Sequence, residues 1–517
     1  MRDEYILSID CGTQSIRAMI FDKHGKILGK NQVEFTPYFS EHIDWAEQDV
    51  EVYWSSLCKA TNGLKNDCLE IWDQVKAVVV TTIRDTFINI DKSGKVLRPA
   101  IVWLDQRTEE DVPNLSFMEK AVFKGIGMEK TLSTVQKSSK AHWIKKNQPE
   151  IWRKTYKFIM LSCYFHYKLT GNLVDSISNQ IGHIPFNYKK KEWAKGILDY
   201  RWKIFGIEKD KLPLLVDSGE IIGRITKKAS EETGINEGVY LIAGASDKGC
   251  ETLGNGCLNE SKASISFGTT TTVQTTTKEY VEADRFMPAY PSAIHDRYNP
   301  EIAISRGYWL ISWFKNEFSQ MEILEAEKKG VSPEEILNER LKEVPPGCDG
   351  LILQPYWGGG AKNPDARGAI VGFGDVHTKA HIYRAIIEGI NYALLDGIEK
   401  IEKVTETRIR EIAICGGGAQ SDIIAQITAD MFNRKVYKGQ THELSSLGAA
   451  IIGYVTLGVY RNYEEAIENM FHRTKEFLPD PEHVELYSKL YKKVYLKVYP
   501  SLRGLYKEIK SIETYSG

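Results

Sequence analysis

The pattern of apolar and polar positions predicts an α/β chain whose opening motif is repeated. Residues 5–9 form an apolar run ending in Asp10. Cys11-Gly12-Thr13-Gln14-Ser15 then bring small and hydroxylated side chains, and residues 16–21 are apolar again. Short β-branched runs around a glycine break predict strand, tight turn and strand. The pattern returns in residues 262–277, where an alternating run meets Gly268-Thr269-Thr270 and another strand-like run follows. Two such hairpins predict two halves built alike. Between them, Val52, Leu57 and Leu64 give helical spacing over residues 49–64. The apolar run 75–80 predicts a buried strand, and residues 87–91 the next one. Residues 140–147 read as a helix, as do residues 152–169 before the Thr170-Gly171 stop, and residues 240–245 read as a strand. In the second half, residues 306–318 and the charged stretch 320–342 read as helical, and residues 351–353 as a strand. The Gly- and Pro-rich segment 355–368 reads as a loop. A strand over 411–415 enters Gly416-Gly417-Gly418-Ala419, with a helix over 422–432, a strand over 434–437 and a small-residue helix over 443–458. From about residue 479 the tail reads as helical, with Tyr487, Leu490, Tyr491, Val494 and Tyr495 spaced for core packing.

Composition narrows the class. A chain of 517 residues is long enough for two or more domains, and 42% hydrophobic, 26% charged and 11% aromatic residues are ordinary for a globular protein. With 67 Lys+Arg against 69 Asp+Glu there is no electrostatic case for nucleic acid or an anionic membrane as partner. No stretch approaches the roughly 18 apolar residues of a membrane span. The charged N-terminus enters a strand without a signal-like segment, so a cytoplasmic location is expected. The eight cysteines lack zinc-site spacing and are expected to be reduced thiols. The aromatics of residues 189–207 fall at helical spacing, which favours packing over stacking on bases.

Several polar groups carry candidate chemistry, each with a plainer alternative. Gly12 permits close backbone approach to a phosphate, Thr13 and Ser15 can donate to it, and Asp10 can hold a hydrated Mg²⁺; an ordinary polar turn is the other reading. Arg84 and Asp85, beside the predicted strand end, can hydrogen-bond adjacent sugar hydroxyls or form a surface ion pair. Asp247 follows a strand and precedes a small-residue helix, so it either faces a cleft or caps the helix. The Gly416-Gly417-Gly418 turn can lay a nucleotide against a helix N-terminus.

The joint pattern resembles the FGGY carbohydrate kinases of the actin-like ATPase superfamily. Asp10-x-Gly12-Thr13-x-Ser15-x-Arg17 and Phe267-Gly268-Thr269-Thr270 look like that family's two phosphate hairpins. Trp103-x-Asp105-x-Arg107-Thr108 is similar to its sugar-site element, and residues 368–390 resemble its C-terminal signature. The resemblance implies an α/β fold of two ribonuclease H-like (actin-like ATPase) domains, residues 1–250 and 251–517, flanking a central catalytic cleft. It further implies ATP-dependent phosphorylation of a terminal hydroxyl of a sugar or polyol, with Asp247 as catalytic base. Arg84, Asp85, Trp103, Asp105 and Asp247 would contact this small-molecule acceptor. Gly12, Thr13, Gln14, Ser15, Arg17, Gly268, Thr269, Thr270, Gly416, Gly417, Gly418 and Ala419 would bind ATP, and Asp10 would hold Mg²⁺. The pair Arg84-Asp85 leans towards the glycerol-kinase branch but matches neither that branch nor the xylulokinase one, leaving the acceptor open. The family forms dimers and tetramers, so the resemblance allows a homodimer. A catalytically silent sugar sensor and an actin-like ATPase of chaperone or filament type are the alternative classes.

Overall fold

The computed structural model describes residues 4–512 apart from 126, 197, 285–286 and 358–364. Two six-stranded sheets share one pattern of strand pairing, with the order along the chain of the last two strands exchanged between them. The first contains β1 (Tyr5–Cys11), β2 (Ser15–Phe21), β3 (Ile27–Glu34), β4 (Val75–Thr82), β5 (Ile221–Arg224) and β6 (Tyr240–Ile242), in the order β5-β6-β4-β1-β2-β3. The second contains β7 (Lys262–Phe267), β8 (Thr271–Gln274), β9 (Glu301–Ile304), β10 (Glu411–Cys415), β11 (Lys435–Gly439) and β12 (Arg473–Phe477), in the order β9-β8-β7-β10-β11-β12. Each sheet is an antiparallel meander followed by two parallel strands and an antiparallel edge strand. The repeated hairpin is therefore the visible part of a duplicated sheet.

Both faces of the first sheet are buried along its inner strands β1, β2 and β4, as their apolar runs require. Leu7, Ile9, Ile16, Ala18 and Ile20 pack with Tyr53, Trp54, Leu57 and Leu64 of α1 (Val50–Asp67), which Asp49 caps through the Glu51 amide. Ile6, Met19, Phe21, Ala77 and Val79 face the other way, towards α2 (Asp247–Gly254) and a helix from the second half of the chain. The second sheet packs on α3 (Lys379–Thr405) and α4 (Asp422–Phe432) through Ile265, Ile412, Ile414 and Val436. The helix that reaches back to the first sheet is α5 (Leu444–Thr456), whose Tyr454 hydroxyl donates to the carbonyls of Glu4 and Phe21 at 2.9 and 2.8 Å. α2 and α5 thus stand between the two sheets, and α2 runs through the division expected at residue 250.

Close helix contact explains the glycines here. A Cβ on Gly448 would lie 1.9 Å from the Cys250 carbonyl oxygen, and one on Gly254 would lie 2.1 Å from that of Leu444. α2 and α5 touch backbone to backbone.

Three elements differ from the sequence expectation. Residues 152–169 are not one helix: Pro149–Lys154 and Leu161–Thr170 are helical, and Lys157–Met160 between them is a strand. That segment pairs with Phe87–Ile90, and Phe158 stacks on Phe87 at 4.8 Å, so tertiary pairing overrides the local helical pattern. The expected helix 306–318 begins only at Trp309. Residues 189–207 divide into a two-residue strand and the short helix Tyr200–Phe205, with Trp193, Trp202 and Phe205 packed on the core. Of the expected loop 355–368, residues 358–364 lie outside the described residues. In the tail Tyr487, Tyr491 and Tyr495 are buried as their spacing suggests, the last two stacked on Tyr392, whereas Val494 is exposed. All eight cysteines are free, and among the described residues no helix is long and apolar enough to cross a membrane.

Because Gly448 has no room for a side chain, Gly448→Ala should destabilise the protein by about 1–3 kcal/mol through overpacking. Thermal unfolding should show a lowered midpoint, and an unchanged midpoint would contradict the backbone contact between α2 and α5.

Candidate active site

The two hairpin tips face one cleft of about 1830 Å³. In the first, the Gly12 amide closes the turn on the Ser15 carbonyl at 3.0 Å, and Asp10 lies opposite Arg17 in the β1–β2 register. Gly12, Thr13, Gln14, Ser15 and Arg17 all line the cleft. In the second tip Gly268, Thr269 and Thr270 line it too, and the turn is braced by the Tyr308 amide donating to the Gly268 carbonyl at 3.0 Å. Backbone N–H groups and hydroxyls thus approach one space from two sheets, which suits a polyanion. The Gly416–Ala419 turn does not line this space. It follows β10, next to β7, where Gly416 takes φ 80° against the Phe267 carbonyl and Gly417 faces open space.

Asp247 occupies the first turn of α2. Ser246, not Asp247, caps the helix, its hydroxyl accepting from the Gly249 amide at 3.3 Å. The Asp247 carboxylate, with Oδ1 accepting from the Lys248 amide at 2.8 Å, lines the cleft. Burial pushes its pKa up, while the Arg84 and Lys248 charges oppose the shift. Asp10 is pushed up to about 7, chiefly by burial, with Arg17 opposing and the charges of Asp247 and Glu443 adding to it. Arg17 lies 3.3 Å from Asp10 and 3.8 Å from Glu443.

Buried carboxylates so placed favour a cation or a proton. Among the described residues no three His, Cys, Asp or Glu side chains gather as a metal cage. A single Asp10 carboxylate beside turns rich in N–H and hydroxyl donors would instead suit Mg²⁺, which keeps several waters and takes other ligands from phosphates.

Sequence could not assign Lys248. Its ammonium bonds Glu251 at 3.1 Å and the Ser266 hydroxyl of β7 at 2.7 Å, tying α2 to the second sheet.

Arg84 and Asp85 do not form a surface ion pair with each other. Arg84 forks across the cleft to Glu301 of β9 at 3.2 and 3.4 Å and lies over the Tyr290 ring at 5.3 Å. Asp85, held at φ 53°, bonds His183. Trp103 lines the cleft and donates from Nε1 to the Thr13 hydroxyl at 3.1 Å.

Asp105 is a correction. Its side chain is wholly buried away from the cleft, bonded to the Ala46 amide at 2.8 Å, to Arg107 and to Lys140 at 3.1 Å. Arg107 lies between the rings of Trp45 and Trp143, 4.1 and 4.5 Å from their centres. A carboxylate saturated by two cations and an amide supports the wall and has no capacity left for an acceptor hydroxyl.

Glu301, His183, Tyr290 and Glu443 were not singled out from sequence. Each owes its place to a partner far along the chain, and none stands in a motif that could have flagged it.

A duplicated sheet whose two glycine-tipped hairpins meet at one cleft is the bilobal architecture of the actin-like ATPase fold. Residues 5–254 match the N-terminal domain, and residues 263–457 the C-terminal domain, of the FGGY family of carbohydrate kinases, and the chain belongs to that family. It is 27% identical over 502 residues to a xylulose kinase of Lactococcus lactis, covering 94% of each chain. In structure it is similar to a ligand-bound xylulose kinase of Lactobacillus acidophilus, with a TM-score of 0.81, 21% identity and coverage of 98% and 100% of the two chains. A gluconate kinase from the same organism is similar at a TM-score of 0.82, 21% identity and the same coverage.

Replacing Glu301 by Gln removes the charge that fixes Arg84 and weakens a charge-assisted pair. The acceptor KM should rise about tenfold with the KM for ATP unchanged. Steady-state kinetics showing equal changes in both, or none, would contradict this role.

Proposed function

We propose that the protein transfers the γ-phosphoryl group of Mg·ATP to a terminal hydroxyl of a neutral sugar or polyol, with Asp247 as general base. The observation that carries this reading is the Asp247 carboxylate at the start of α2, lining the cleft that both hairpin tips share. Asp247 takes the proton of the attacking hydroxyl. The Gly12–Ser15 and Gly268–Thr270 turns bind and orient the phosphates through backbone N–H and hydroxyl groups. Asp10 would hold Mg²⁺ through water, and that ion supplies charge neutralisation along the phosphates. Closure of the halves would keep water from competing with the acceptor.

Charge argues for a neutral acceptor. The Arg84 cation is already paired with Glu301, and Asp85 and Asp247 add negative charge to the same wall. An aldonate would bring its carboxylate to a wall whose Arg84 cation Glu301 already engages. Ketoses of the xylulose or ribulose type and polyols such as glycerol or erythritol carry no such penalty.

Coupled ADP release with Mg·ATP tests this across ketoses, aldoses, glycerol, erythritol and gluconate. One neutral compound should raise ADP release well above the ATP-only rate, and gluconate should not. As Asp247 must be ionised and burial raises its pKa, kcat/KM should fall on acidification at a pH above the range of an exposed carboxylate. Tight acceptor binding without turnover would replace the kinase reading with that of a sensor.

A further inference from the structure

The wall that carries Arg84 holds a second side chain that the proposed mechanism does not use. Asp85 spends both carboxylate oxygens on one residue: Oδ1 accepts from the His183 amide at 2.8 Å, and Oδ2 meets His183 Nδ1 at 2.8 Å. The arrangement is tightly set. Asp85 takes φ 53°, unusual for a non-glycine residue. Gly182 packs against it so closely that a Cβ there would sit 2.1 Å from Oδ1. The Gly182 amide in turn donates to the Tyr188 hydroxyl at 3.2 Å, and the Tyr188 ring meets Tyr290, on which Arg84 rests. Burial pushes the Asp85 carboxyl upward, but the contacts with His183 pull harder and hold it below its ordinary value.

An ionised carboxylate only accepts hydrogen bonds, so Nδ1 carries the proton in this pair. In the neutral imidazole Nε2 is then a lone-pair acceptor. His183 lines the cleft, its side chain is 28% exposed, and among the described residues Nε2 has no hydrogen-bond partner.

We propose that His183 is a specificity-determining acceptor ligand, taking a hydrogen bond at Nε2 from one hydroxyl of the sugar or polyol, while Asp85 acts only through it as a positioning residue. This rests on the kinase reading above. Asp85, expected to touch the substrate itself, has each oxygen already accepting from His183. The imidazole carries its recognition further into the cleft, where Nε2 opposite the Asp85-bound Nδ1 is placed to meet a hydroxyl. With water displaced by the bound acceptor, an Nε2 left unmet penalises an analogue lacking that hydroxyl, so the pair selects for a hydroxyl at one position of the acceptor.

Two measurements on the full chain test this. In ¹⁵N-histidine spectra of the free protein, assigned with H183Q, His183 should be the Nδ1–H tautomer; an Nε2–H tautomer overturns the proposal. In kinetics with D-xylulose, D-ribulose, glycerol and erythritol, H183F should lower kcat/KM for the responding acceptor roughly 10–100-fold. The KM for ATP should be unchanged. One deoxy analogue of that acceptor should be rejected by the wild type yet cost H183F nothing further, and D85N should have no effect in the H183F background. Wild-type kcat/KM in a folded H183F overturns the proposal, as does an independent effect of D85N. If the wild type phosphorylates none of these compounds, the kinase reading is what fails, and the tautomer of the free protein decides the state of Nε2.

Discussion

The contact between α2 and α5, where the Cys250 carbonyl rests against Gly448, is the constraint from which the active site follows. Any side chain at that point would push the helices apart, and with them the two sheets that each helix touches. α5 leaves the second half of the chain to cover Ile6, Ala77 and Val79 of the first sheet. α2 is tied to the second sheet by Lys248 on Ser266 and by the Asn255 amide on the Ser264 hydroxyl at 2.7 Å. Each half is thus completed by a helix that the other half also holds. Asp247, in the first turn of α2, stands at that junction.

The junction makes the chemistry electrostatic. Asp10 lies on the same face of β1 as Ile6, and its charge and that of Asp247 disfavour each other in a buried setting. A cation beside the two carboxylates, or a proton on either, would relieve that repulsion. Arg84 and Glu301 join the halves across the cleft and hold a guanidinium near Asp247. A deep cleft with opposed charges at fixed places exerts a large effect with little reorganisation.

Features written in local pattern were legible from the sequence. The two hairpins, α1, the strand before Asp247 and the packed tyrosines of the tail could all be read from periodicity and from glycine beside hydroxylated residues. Features that depend on distant partners were not. Lys157–Met160 looks helical in isolation and becomes a strand because Phe87–Ile90 offers an edge. Asp105 has the residue type of a sugar ligand, but Arg107 and Lys140 draw it into the interior. Asp85 was visible as a candidate, whereas His183, which occupies both its oxygens, is brought to it only by the folded chain.

The most direct test of the central claim is a single-turnover comparison of the wild type and D247N, with ATP and acceptor binding measured on both. The account predicts that D247N binds both ligands within a few-fold of wild type and transfers the phosphoryl group about 10²–10⁴ times more slowly. Transfer at the wild-type rate would contradict it, because another group would then be removing the proton.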